Sequence, residues 1–196
     1  NSVARGTARG GLSWFAGMAG SMVWEDIDGA ISAGDRYRHR LGEVHVKTKA
    51  SKSLSSAVKA TLGGETFLRH AGIDYRSAAD DHYSANIHLP ALFAEAQCRL
   101  ARHLFAEASL RSEYTSAVHH WSLLPRLLLN YRPTSNWLLT LSAGKYTQEA
   151  TDTIQARSRE TLCPSSASHY IAGAQYHFGK THLRLEAYYK RYSHLP

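Results

Sequence analysis

The sequence predicts an all-β fold: an antiparallel up-and-down meander of about nine strands, forming an incomplete (open) segment of a transmembrane β-barrel. Three observations carry this. Apolar and polar residues alternate along most of the chain, the joints between alternating runs differ in length on the two sides, and Trp and Tyr gather at run ends on the apolar parity.

Alternation is read first. Val58, Ala60, Leu62, Gly64, Thr66 and Leu68 alternate with Lys59, Thr61, Gly63, Glu65, Phe67 and Arg69. Further on, Trp137, Leu139, Leu141 and Ala143 alternate with Leu138, Thr140, Ser142 and Gly144, and Leu183, Leu185, Ala187 and Tyr189 with Arg184, Glu186, Tyr188 and Lys190. Successive strand residues point to opposite faces, so each such run has one greasy and one polar face. In order, the runs predict strands over 8–24, 40–50, 56–70, 88–100, 103–116, 121–132, 136–148, 168–178 and 181–192. Tight turns fall at 51–55, 101–102, 133–135 and 179–180, while the short joint at 117–120 lies on the opposite side and alone breaks the series of long loops there. Long polar loops fall at 25–39, 71–87 and 149–167, on the other side of the sheet. Outer-membrane barrels segregate loop length in this way, with the long loops outside the cell.

The stretch 91–111 is rich in Ala, Leu, Glu and Arg, which favour helix. Its repeat LFAEA, at 92–96 and 104–108, decides for a hairpin, because a fold near 101–102 keeps Glu95 and Glu107 on one face. A straight helix would set the two copies roughly 120° apart.

On the apolar parity Trp14, Tyr131, Trp137, Tyr176 and Phe178 lie next to short turns, and Trp24, Tyr114, Trp121, Tyr170 and Tyr189 near long loops. Trp14 and Trp24 are ten residues apart, as are Trp121 and Tyr131. At about 3.3 Å per residue and a tilt near 45° that distance spans roughly 23 Å, close to the height of an outward apolar band. These ten aromatics are the expected lipid-interface residues, with outer-membrane lipid as a partner.

Composition excludes other classes. Charged residues are 20% of the chain and mean hydropathy is −0.36, which argues against disorder and is what a barrel with one lipid face would show. The uncharged run 10–24 is 15 glycine-rich residues, too short for a spanning helix. Net charge is +7, yet the basic residues are spread along the chain, so no nucleic-acid partner is expected. Without CxxC, HExxH or GxSxG, no metal site, no cofactor and no catalytic residues are expected. Cys98 and Cys163 fall at opposite ends of the strands and are expected unbonded.

On the polar parity lie Lys47, Lys59, Glu65, Arg69, Glu95, Arg99, Glu107, Arg111, Glu113, Arg126, Arg132, Arg184, Glu186 and Lys190. Facing lipid, each Arg or Lys would cost about 2–4 kcal/mol at the midplane, so this parity is the lumen, where the charges are expected to pair across strands. Ligand contacts are expected at strand tops and long loops: Arg111, Glu113, His119, His120, Tyr146, Gln148, Tyr188 and Lys190.

The segments LPALFAEAQCRL, ASLRSEY, LLPRLLLNYRPTSNWLLTLSAGKYTQ and LRLEAYYKRYSHLP, within 89–196, resemble TonB-dependent outer-membrane receptors in order and spacing. The resemblance implies location in the cell outer membrane and a full barrel of roughly 22 strands with a plugged lumen. It also implies energised uptake of a scarce nutrient (a metal chelate, cofactor or oligosaccharide), with the plug domain and, through it, the TonB complex as partners. Residues 1–196 are expected to be one partial barrel domain, without plug, TonB box or signal peptide within it. Two other functions fit the residues: a passive porin-like or small structural barrel, and a soluble β-sheet binding module.

Overall fold

The computed structural model describes residues 1–29, 34–76, 80–148 and 164–193. Among these there are ten strands and no helix: β1 (Ser2–Ala8), β2 (Leu12–Asp28), β3 (Arg36–Ser53), β4 (Val58–Arg76), β5 (Asp80–Ala101), β6 (Leu104–Thr115), β7 (His120–Tyr131), β8 (Trp137–Gln148), β9 (Ser165–Phe178) and β10 (Thr181–Ser193). Spatial order follows chain order in one antiparallel sheet, and the sheet does not close: β1 and β10 are its edges. Among the described residues no helix is long and apolar enough to cross a membrane.

The expected strand over 8–24 is two strands. Arg9 and two glycines with left-handed backbone, Gly10 (φ 77°) and Gly11 (φ 74°), reverse the chain so that Ala8 pairs with Leu12. Only glycine takes such angles freely, so two adjacent glycines make a turn rather than a weak point in a strand. The count is therefore ten among the described residues, an even number, and the first edge is β1 rather than 8–24. β1 ends its pairing at Ser2↔Met18, which leaves the upper arm of β2 without a partner on that side.

Most of the loops expected at 25–39 and 71–87 are strand. β2 and β3 stay paired to Asp28↔Arg36, and β4 and β5 to Arg76↔Asp80. Polar cross-strand contacts hold these arms. Arg36 grips Asp26 through both nitrogens, at 2.9 and 2.7 Å, Arg38 reaches the same carboxylate at 3.3 Å, and the Tyr75 hydroxyl donates to Asp35 at 2.8 Å. The Arg36 fork keeps the Asp26 carboxyl at about 2, below its usual 3.8.

The turns shift by a residue or a few. They fall at 54–57, where the Ser55 hydroxyl accepts from the Ala57 and Val58 amides at 3.1 Å each, at 102–103 after a bulge between Arg99 and Ala101, at 116–119, at 132–136 and at 179–180. The 91–111 stretch is the β5–β6 hairpin, with Ala96 opposite Ala108. Gln97 donates to both Glu95 (3.0 Å) and Glu107 (3.1 Å), which puts the two glutamates on one face. Of the 149–167 loop, residues 149–163 lie outside the described residues, as does Cys163.

The pairings carry a face across the sheet. Gly17, Lys47, Glu65, Ala91, Glu113 and Ser122 form one row on β2 to β7. The buried strand residues Thr61, Ala71, Ile73, Ile87, Ala91, Thr115 and Leu124 all share this parity. The other parity carries Leu62, Leu92, Leu127, Leu139, Leu141 and Leu185, all exposed. A flat open sheet would cover neither face, so burial confined to one parity means that the sheet curls toward it. The charged face is concave, and the greasy face is convex.

Candidate functional site

The concave face is tied by ions across neighbouring strands. Glu65 on β4 is the hub: it takes Lys47 Nζ from β3 at 2.8 Å and Arg111 from β6 at 2.5 Å, with His45 Nε2 at 3.4 Å. Arg111 must cross β5 to arrive, and it does so beside Ala91, whose methyl fills little of the row between Glu65 and Glu113. Arg111 also pairs with Glu113, which accepts from the Thr147 hydroxyl at 3.0 Å. Glu43 and Arg69 form a second tie at 2.8 Å. Of the expected lumen charges on β3 to β6, Lys47, Glu65, Arg69 and Arg111 pair across strands, while Arg99 lies over the Phe105 ring, 5.8 Å from its centroid, and Lys59 has no ion pair among the described residues.

Aromatic rings fill the gaps. Phe93 lies over Gly63, where a Cβ would stand 2.4 Å from the ring and 2.7 Å from the Thr48 carbonyl oxygen. Lys47 sits 5.4 Å from the Phe93 centroid, and His45 stacks on Phe67 at 4.0 Å.

The expected contact residues separate into groups. Arg111 and Glu113 line one cavity of about 130 Å³ with Phe67, Leu89, Ala91 and Thr147. Tyr146 belongs to a second group. Its ring lies under the Arg126 guanidinium at 4.5 Å and beside His169 at 4.8 Å. Tyr188 and Lys190 share β10, with Lys190 5.5 Å from the Tyr188 centroid and opposite His169. Gln148 ends β8, where its carbonyl accepts from the Ser165 hydroxyl at 3.2 Å. His120 opens β7 on the concave parity, exposed. His119 stands apart: it has left-handed backbone (φ 50°) and its ring meets the Tyr114 hydroxyl at 2.9 Å, beside the convex-face pair Tyr114–Trp121.

Three neighbours of these groups were not singled out from sequence as ligand contacts: Thr147, Arg126 and His169. Strict alternation sends Thr147 outward, but the β7–β8 ladder stops at Arg126↔Gly144 while β8 continues, and that departure brings its hydroxyl to Glu113. The signal was Gly144, since a glycine inside a strand often marks such an irregularity. His169 was legible by parity with Gly173 and Gln175.

The ten girdle aromatics lie on the convex parity, and several meet across strands: Trp137 and Tyr176 at 4.6 Å near the short turns, where Phe178 follows Tyr176 along β9 at 6.5 Å, and Tyr114 and Trp121 at 5.0 Å and Tyr170 and Tyr189 at 6.2 Å toward the other end.

A concave wall of paired charges, a convex apolar face and rings at both strand ends define a section of an outer-membrane β-barrel. The family model for the TonB-dependent receptor-like β-barrel matches residues 5–196, and the chain belongs to that family. Its place is the outer membrane, and the family is one of receptors rather than enzymes. Among curated proteins no match was found. The fold is similar to the FrpB iron transporter from Neisseria meningitidis, with TM-score 0.67 and 13% identity over 95% of this chain and 35% of that one. It is also similar to the siderophore receptor PirA from Pseudomonas aeruginosa (TM-score 0.65, 8% identity, 92% of this chain and 40% of that one). The copper transporter OprC gives 0.64 and 10% over 91% of this chain and 34% of that one. The chain thus spans 34–40% of the length of these structures.

Proposed function

We propose that this chain is wall from the barrel of an energised outer-membrane receptor that takes up a scarce nutrient as a metal chelate. Residues 1–196 form a single partial barrel domain in this reading, with the plug and the TonB complex as partners of the full-length receptor. The observation that carries it is the cross-strand network on Glu65, which belongs on a wall facing a polar, filled lumen. Iron and copper transporters among the structural neighbours favour a metal chelate over an oligosaccharide. The girdle aromatics contact lipid in this reading, and Arg111, Glu113, Tyr146, Tyr188 and Lys190 face the cargo. The test is uptake of radiolabelled iron chelates by cells carrying the full-length receptor. Saturable uptake that a protonophore abolishes is the expected result; uptake that persists without an energised inner membrane would leave a passive barrel instead.

A further inference from the structure

Charge is nearly absent from the convex half of the sheet, and the exceptions sit together. Among the described residues of β6 to β10, Lys145 and Arg191 are the only charged residues on the convex parity, and no Asp or Glu shares it with them. The ladders set them in one row: Lys145 opposite Ser168, and Ser168 opposite Arg191. Two strand spacings separate the cations, about 10 Å, a gap that two long side chains can close over the serine hydroxyl. Both are exposed, and neither has an ion pair among the described residues. The rings beneath set their height. One step inward the row is Ala143, Tyr170 and Tyr189, and its two tyrosines stack at 6.2 Å as part of the outer girdle. Lys145, Ser168 and Arg191 lie two residues further toward the long-loop end on their strands, roughly 5 Å higher for a tilted strand, where headgroups begin. Below them the surface opens into an apolar groove of about 860 Å³, running from Tyr170 and Leu127 across Ala143, Ala108 and Ala94 to Leu62.

We infer that Lys145, Ser168 and Arg191 hold the phosphate of an outer-leaflet lipid whose acyl chains lie in this groove. An ammonium and a guanidinium converging on a phosphate make charge-assisted hydrogen bonds, and the serine hydroxyl adds a third donor. Lipid chains are as apolar as leucine, so the groove supplies packing contacts, and the cations select the headgroup. A lone snorkelling lysine would need no such partner. Two cations in one row, on a face without acids, repel each other, and a phosphate between them removes the repulsion. A second copy docked face to face here would bring two more cations instead of an anion. The inference rests on the reading of the convex face as lipid-facing and goes beyond it to one lipid class.

Native mass spectrometry of the full-length receptor, stripped of lipid in detergent, tests it by titration with diphosphoryl lipid A, phosphatidylglycerol, and diacylglycerol carrying the same chains as the phosphatidylglycerol. Both phosphate-bearing lipids should bind and diacylglycerol should not, with lipid A, which has more chains, held tightest. Lys145→Gln and Arg191→Gln should each weaken both phosphate-bearing lipids by about tenfold, whereas Lys59→Gln, on the concave face, should change neither. Lys145→Arg and Arg191→Lys, which keep the charge, should retain binding and control for folding. Ala108→Phe, which fills the groove floor, should weaken lipid A with both cations in place. Equal binding of diacylglycerol, lipid binding indifferent to both cations, or lipid A binding unchanged by Ala108→Phe overturns the inference. A lipid-free dimer that Ala108→Phe abolishes also overturns it and gives the face to a second copy. Failure of lipid A to bind leaves the receptor reading standing, because protonophore-sensitive uptake is measured separately. Absence of the receptor from the outer-membrane fraction would remove the lipid-facing reading itself.

Discussion

Glu65 holds two cations that arrive from opposite sides, Lys47 at 2.8 Å and Arg111 at 2.5 Å, with little of its own side chain exposed. Removing the carboxylate charge leaves those cations facing each other in a half-dry wall. Glu65→Gln should therefore cost about 1–3 kcal/mol, between the value of an exposed pair and a fully buried one. The full-length receptor in detergent should show this as a lower melting temperature, and an unchanged melt would remove Glu65 as the hub. Gly63 makes a different demand at the same depth. Ala there would press Phe93 and, more stubbornly, the Thr48 carbonyl oxygen, which the β3 ladder holds in place. Gly63→Ala should destabilise by about 1–3 kcal/mol, whereas Gly72→Ala, with nothing within 4 Å, should be neutral or slightly stabilising. Denaturant midpoints of the two variants, compared side by side, decide whether crowding or mere loss of glycine matters.

At the scale of an element, β8 offers the cleanest contrast between faces. Leu141 is exposed on the convex parity and Ser142, next to it, faces the concave side. Leu141→Arg should cost about 2–4 kcal/mol in a bilayer, and Ser142→Arg far less, because only the first puts a charge into hydrocarbon. Folding titrations into lipid vesicles would show it; equal costs would mean that the convex face does not meet lipid. The β2–β3 arm makes a prediction about pH. Asp26 has a carboxyl lowered from 3.8 to about 2 by its hydrogen bond to Arg36, and Arg36 is correspondingly raised. A lowered acid stabilises the folded arm fully above 3.8, and the contribution fades as pH falls toward about 2. Amide protection at the arm, taken relative to the intrinsic exchange rate at each pH, should thus hold at pH 4, fall between pH 4 and 2, and lose that pH step in Asp26→Asn. Absence of the step in the unsubstituted arm would mean that the fork does not form.

For the whole molecule, the two edges dominate. β1 is seven residues long and leaves the upper half of β2 unpaired, while β10 offers its full outer row. In hydrocarbon each unpaired backbone group costs several kcal/mol, and in water the convex leucines and aromatics form one broad apolar surface. Expressed alone, these 196 residues should form neither a stable monomer in water nor a conducting pore in a bilayer. Size-exclusion chromatography without detergent and planar-bilayer recording check the two halves of this statement. A monodisperse, cooperatively melting monomer in water would sink the membrane reading as well.

Much of this architecture was legible before any coordinates. Alternation is a local property, so Leu139 and Leu141 against Thr140 and Ser142 already assigned the faces of β8, and turn chemistry placed 179–180 between β9 and β10. The Gly10–Gly11 reversal was equally local, and its glycines were the available signal. The arms of β2 to β5 above Trp24 were not legible, because a hairpin wet on both faces has no reason to alternate. Nor could spacing tell which lumen charges are neutralised. Arg111 and Arg126 look alike along the chain, yet one finds Glu65 across a small Ala91, and the other, lying over Gly144, meets a tyrosine ring. That difference depends on strand register and on what stands two strands away, and such long-range proximity exists only once the sheet has formed.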